Sequence, residues 1–113
     1  MTTTPQTGID PTAAAERARA EEAVLVDVRE DDEWTAGHAP DAVHHLLGTL
    51  DPAALPSGQP VIAVCRSGAR SSRAVAALTA AGVPATNLTG GMQAWQAAGL
   101  PVVTDDESPG TVI

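Results

Sequence analysis

The chain contains no phenylalanine, no tyrosine and no lysine, and only two tryptophans and one cysteine. With so few aromatics, its core must be built mostly from Ala, Val, Leu and Ile. At 113 residues and 43% hydrophobic content this suffices for one globular domain. All six basic residues are arginine. Together with the heavy use of alanine, that is a compositional bias and not a functional signal. A single cysteine rules out an intramolecular disulfide and fits a reducing compartment. With one cysteine and no metal-ligand spacing, neither a metal nor a cofactor is expected. Positive charge is scarce, and the net charge of −8 argues against nucleic acid and anionic membranes as partners. No apolar run approaches membrane-spanning length. The N-terminal Met1-Thr2-Thr3-Thr4-Pro5 lacks the charged and apolar regions of a signal peptide. A cytoplasmic location is the expectation.

What is present is a regular alternation of short apolar runs and helix-forming stretches. Asp10-Pro11 reads as a helix N-cap followed by proline at the first helical position, with the helix reaching about Ala20. Ala23 to Val28 reads as a buried strand and Asp31 to Ala36 as a short helix, whose acidic first turn suits the helix dipole. Ala42 to His44 is a further short strand, and Asp51-Pro52 opens a helical turn within Thr49 to Leu55. Val61 to Val64 is the clearest strand. A helix from about Ser71 to Ala81 follows, with Ala74, Val75, Leu78 and Ala81 as its apolar stripe. Ala85 to Leu88 and Met92 to Ala98 complete the pattern as strand and helix. Strands alternating with helices imply an α/β domain with a mainly parallel sheet. In such sheets, sites form beyond the C-terminal ends of the strands.

The only cysteine, Cys65, stands at such an end. The run Val61-Ile62-Ala63-Val64-Cys65 breaks into Arg66-Ser67-Gly68-Ala69-Arg70-Ser71 before the next helix, and Arg66, Arg70 and Arg73 all fall within eight positions of the thiol. A packing role for Cys65 would not ask for arginine at both 66 and 70, glycine at 68 and paired serines at 71 and 72. A thiol beside a helix N-terminus and guanidinium groups ionises readily, with a pKa lowered from about 8.5 to roughly 3.5–7.5. This is the setting of a nucleophilic cysteine acting on an anionic substrate.

Three separated segments then resemble one family, the single-domain rhodaneses, which are sulfurtransferases. They are Leu25-Val26-Asp27-Val28-Arg29 with Glu33, Trp34, Gly37 and His38; Cys65 to Ser71; and Gly90-Gly91-Met92 to Trp95 with Gly99-Leu100-Pro101-Val102. The chain departs from the family's usual stretch after Gly-His, carrying Ala39-Pro40-Asp41-Ala42 and then Val43 to Gly48. The resemblance implies a rhodanese-like α/β fold, a small, mainly parallel sheet flanked by helices on both faces. It spans residues 9–103, between a flexible N-terminus at 1–8 and a flexible acidic tail at 104–113.

The resemblance also implies that Cys65 carries a persulfide, taking sulfur from a donor such as thiosulfate and passing it to cyanide, a thiol or a protein. Gly68 permits the tight turn that aims the N–H groups of Arg66, Ser67, Gly68, Ala69 and Arg70 at the sulfur. Arg66 and Arg70 are expected to bind the anionic end of a small sulfur donor. Ser71 either donates a hydrogen bond to the sulfur or only caps the helix. Asp27, Arg29, Glu33 and His38 are expected to be structural, with Arg29 and Glu33, four residues apart, forming a pair. Trp34 and Trp95 read as core or pocket wall. His44 and His45 would face opposite sides of a strand. One rival is a cysteine phosphatase or arsenate reductase, whose loop is Cys-x5-Arg where this chain has Cys-x4-Arg. The other is a non-catalytic interaction module, which retention of Cys65 and its arginines disfavours. The acidic surface is suited to a basic protein that supplies or accepts sulfur.

Overall fold

The computed structural model describes residues 8–56 and 58–113. Along them run β1 (Gly8–Ile9), α1 (Pro11–Arg19), β2 (Val24–Asp27), α2 (Asp31–Ala36), β3 (Val43–His44), β4 (Val61–Val64), α3 (Ala69–Ala80), β5 (Ala85–Leu88) and α4 (Gly91–Ala97). Two single-turn 3-10 helices, Leu47–Thr49 and Pro52–Ala54, lie between β3 and β4. All the strands are parallel, in the order β1-β5-β4-β2-β3.

Local chemistry accounts for most of the boundaries. The Asp10 carboxylate caps α1 by accepting from the Ala13 N–H at 2.9 Å, and Pro11 occupies the first turn, where no N–H is needed. The central strands β2 and β4 are paired from Val24↔Val61 to Asp27↔Val64 and are apolar almost throughout. Helices cover both their faces, as a parallel sheet requires. The twofold alternation of side chains divides the core into two layers. Leu25, Ile62 and Val64 pack with Ala14 and Ala15 of α1 and with Met92 and Trp95 of α4. Val26, Val61 and Ala63 pack with Ala74, Val75 and Leu78 of α3 and with Leu47, Leu50 and Leu55 around the 3-10 turns.

Several expectations are corrected. Gly8, assigned above to a flexible N-terminus, pairs with Asn87 on the edge of the sheet; residues 1–7 lie outside the described residues. α3 begins at Ala69 and not near Ser71, and its buried stripe is Ser71, Ala74, Val75 and Leu78, with Ala81 exposed. The stripe is therefore displaced by a turn towards the cysteine loop. The tail from 104 to 113, expected to be flexible, folds back along the body. Val103 and His38 exchange backbone hydrogen bonds (2.8 and 2.9 Å), Gly110 N–H donates to Val102 O (2.8 Å) and Thr111 N–H to Ala36 O (2.9 Å). Its acidic composition suggests disorder, but this backbone pairing anchors it against the end of α2.

Candidate functional site

Asp27 and Val64 end their strands side by side, and Val28 N–H donates to Val64 O at 2.8 Å, so the chain leaves β2 and β4 at one edge. β3 continues from β2 on one side and β5 from β4 on the other, which makes this the crevice where the strand order reverses. Cys65 opens the loop that fills it.

The loop is held from below and behind. Met92 N–H donates to Cys65 O (2.8 Å) and Gln93 N–H to Arg66 O (3.0 Å), so the first turn of α4 takes up the carbonyls of the loop's first two residues. This close approach needs glycine at 91, because a Cβ there would lie 2.4 Å from Cys65 O. At the far end, Gly68 adopts φ 115°, reversing the chain into α3. That reversal turns the Gly68 N–H back onto Cys65 Sγ at 3.0 Å.

Ser71, in the first turn of α3 and fully buried, points its hydroxyl at Cys65 Sγ (3.2 Å), and the same hydroxyl reaches Asn87 Oδ1 (2.5 Å) and Gly68 O (3.2 Å). Of the two roles left open for Ser71, the geometry includes donation to the sulfur. Burial pushes the Cys65 thiol up, but the Ser71 hydroxyl and the N–H groups of Ser71, Gly68 and Ser67 favour the thiolate more strongly, and the net direction is down. Sequence reasoning missed Asn87. From β5 its Nδ2 donates to Gly68 O (3.1 Å) and Ser72 Oγ (2.9 Å), tying the loop's turn to the start of α3. An amide next to the last, buried residue of a strand was the available signal.

Both loop arginines have partners within the chain. Both terminal nitrogens of Arg70 bind Glu33, Nη1 to Oε1 at 2.6 Å and Nη2 to Oε2 at 2.8 Å. Arg66 is exposed and its Nε donates to Ile113 O at 2.9 Å. Ser67 and Ala69 lie exposed on the rim of the turn. The expected Arg29–Glu33 pair does not form. Arg29 precedes α2, so helical i,i+4 geometry never applies to it. Its fully buried guanidinium instead forks onto Asp27 (3.0 Å from Nε, 2.8 Å from Nη2) and donates to Gly37 O at 2.7 Å. Glu33 is thereby free for Arg70, which with an Oε1 bond from Glu30 N–H holds its carboxyl at about 2.

His38 is buried and bonded through Nδ1 to Ala39 O (3.0 Å) and through Nε2 to Asp105 (3.0 Å). Trp34 stacks between His38 and His44, at centroid distances of 3.6 and 4.8 Å. Trp95 is a core residue. Among the described residues, no group of three or more His, Cys, Asp or Glu is placed to hold a metal ion, and no helix is long and apolar enough to cross a membrane. Two clefts, of about 400 and 430 Å³, open at the opposite end of the sheet, next to Val24 and Pro60. The cysteine loop is instead a small cradle around one nearly buried sulfur.

A family model described as Rhodanese-like domain matches residues 10–98. A sulfurtransferase of Allochromatium vinosum is 38% identical over 103 residues, covering 87% of this chain and 95% of that protein. An uncharacterised Synechocystis protein is 40% identical over 89 residues, 76% of this chain, and the chain spans only half the length of that relative. The crystal structure of a thiosulfate sulfurtransferase from Pseudomonas aeruginosa superimposes with a TM-score of 0.80 at 29% identity, over 91% of this chain and 20% of the other.

Proposed function

The chain belongs to the rhodanese-like domain family, and from that premise we propose that it is a sulfurtransferase whose Cys65 carries sulfur as a persulfide. The observation that carries this reading is the cradle itself: the only cysteine has its Sγ within reach of the Gly68 N–H and the Ser71 hydroxyl. Those donors stabilise negative charge on the attacking sulfur.

In the first half-reaction the Cys65 thiolate attacks the outer sulfur of a donor. A new S–S bond forms and the donor's S–S bond breaks, its electron pair leaving as sulfite when the donor is thiosulfate. In the second, cyanide in an assay, or a thiol or protein in the cell, takes the outer sulfur and returns the thiolate. The first product leaves before the acceptor binds, and the enzyme carries the sulfur between the two steps, so parallel initial-rate lines are expected. Asp27 and Arg29 pair with each other, and the groups bonded to Cys65 Sγ are the Gly68 N–H and the Ser71 hydroxyl. Neither proton transfer nor a cofactor is needed, and a reactive unpaired thiol suits a cytoplasmic setting.

A phosphatase is the weaker reading. Its chemistry needs a free guanidinium fork for phosphate, and the fork at Arg70 is occupied by Glu33.

Intact mass spectrometry after incubation with a sulfane-sulfur donor tests the proposal. The expected result is a gain of one sulfur atom, removed by cyanide and absent in Cys65→Ser. No gain with any sulfane donor would overturn it.

A further inference from the structure

A family of reactions on anionic donors would ordinarily use the loop arginines as anion hooks. Here Arg70 is engaged elsewhere. Both of its terminal nitrogens are spent on Glu33, at 2.6 and 2.8 Å, in a pair whose side chains are only 28% and 13% exposed. Glu33 is itself held in place, because its Oε1 also accepts from the Glu30 N–H at 3.0 Å. The pair is therefore a bidentate, doubly anchored contact and not a loose surface bridge. The same end of α2 carries the exposed carboxylates of Glu30, Asp31 and Asp32. Arg70 immediately precedes Ser71, whose hydroxyl reaches Cys65 Sγ at 3.2 Å, so the pair lies beside the cradle. On its α2 side the rim beside the cradle thus presents a neutralised arginine backed by further negative charge, while on the other side the exposed Arg66 bonds through Nε to Ile113 O.

We propose that Glu33 determines which sulfur donor the site accepts: by holding the Arg70 fork, it favours monoanionic donors, persulfides and thiosulfonates, over dianionic thiosulfate. The proposal rests on the sulfurtransferase reading of Cys65. The chemistry balances for each donor class. A persulfide R–S–S⁻ and the Cys65 thiolate give the Cys65 persulfide anion and R–S⁻. A thiosulfonate R–SO2–S⁻ gives the same enzyme persulfide and the sulfinate R–SO2⁻. Thiosulfate gives it with sulfite, and has to place one more negative charge next to Glu33.

Methanethiosulfonate and thiosulfate are the probes, because they differ chiefly in one charged oxygen replaced by a methyl group. The measurement is kcat/KM for each with cyanide as acceptor, in the full chain. Wild type should favour methanethiosulfonate. Glu33→Gln keeps an acceptor for the Glu30 N–H but releases the Arg70 charge. It should raise the thiosulfate value relative to methanethiosulfonate by roughly three- to tenfold, the size expected for one charge acting through a partly solvated rim. Arg70→Gln added to Glu33→Gln should abolish that gain. Glu22→Gln removes an exposed carboxylate at the other end of the sheet and should leave the ratio unchanged.

Salt gives a test that needs no variant. If Glu33 and its neighbours repel thiosulfate, raising ionic strength should increase its kcat/KM relative to methanethiosulfonate; if Arg70 captures the dianion, the ratio should fall. A fall, a wild-type preference for thiosulfate, a ratio unmoved by Glu33→Gln, or an equal gain from Glu22→Gln would each overturn the proposal while leaving Cys65 as the sulfur carrier. Failure of both donors to load Cys65 would overturn the sulfurtransferase reading and this proposal with it.

Discussion

At the scale of single residues, the sulfur's environment turns on one hydroxyl proton. Ser71 Oγ faces Cys65 Sγ, Gly68 O and Asn87 Oδ1 and can donate to only one at a time. A thiolate is the most strongly charged of the three acceptors, so ionisation of Cys65 draws that proton to sulfur. Ser71→Ala should therefore raise the thiol pKa, whereas Ser72→Ala, whose hydroxyl binds Asn87 and not the sulfur, should move it less. Thiolate absorbance near 240 nm, followed against pH, checks this, and the absence of tyrosine and of any second cysteine leaves the signal to Cys65. An unshifted titration in Ser71→Ala would leave the serine to its contacts with Gly68 O and Asn87 Oδ1 alone. Cys65, Gly68 and Ser71 were legible in sequence because a strand end, a glycine and a helix start are local signals. Asn87 was not, because its importance comes from a strand that reaches the loop only after folding.

At the scale of elements, the Glu33–Arg70 pair joins α2 to the first turn of α3 across the mouth of the site. Its dependence on pH follows from the Glu33 carboxyl, lowered from 4.5 to about 2 in the folded protein. A depressed carboxyl binds protons less readily folded than unfolded. Its stabilisation is therefore complete above about 4.5 and is lost as pH falls through about 2. Comparing thermal or denaturant unfolding of wild type and Glu33→Gln, the stability advantage of wild type should be constant above pH 5 and shrink steadily between about 4.5 and 2. A constant difference across that window would mean that the pair contributes nothing specific. Capping signals and apolar runs in the sequence were sufficient to place α1, α2 and the central strands. Spacing misassigned the partner of Glu33, since four-residue spacing counts only within one helix and Arg29 lies outside α2.

At the scale of the whole molecule, the segment after Val103 closes against α2 and the aromatic stack. Asp105 accepts from Trp34 Nε1 at 3.1 Å and lies 3.0 Å from His38 Nε2, while backbone bonds run from Gly110 and Thr111 to Val102 and Ala36. Hydrogen exchange should find the Gly110 and Thr111 amides protected relative to the exposed Glu107 region; exchange at the rate of an unstructured chain would restore the flexible tail that composition suggests. The sequence by itself determined the alternation of strands and helices, the apolar runs that fill the core and the position of one thiol at a strand's end. Each of these depends on local propensity or on the periodicity of apolar residues along the chain. Only the tertiary structure decided which charges meet: Asp27 with Arg29, Glu33 with Arg70, Asp105 with the Trp34–His38 stack. Charge pairing depends on distance in space, and a hydrophilic residue carries no local mark of the partner that folding will bring to it.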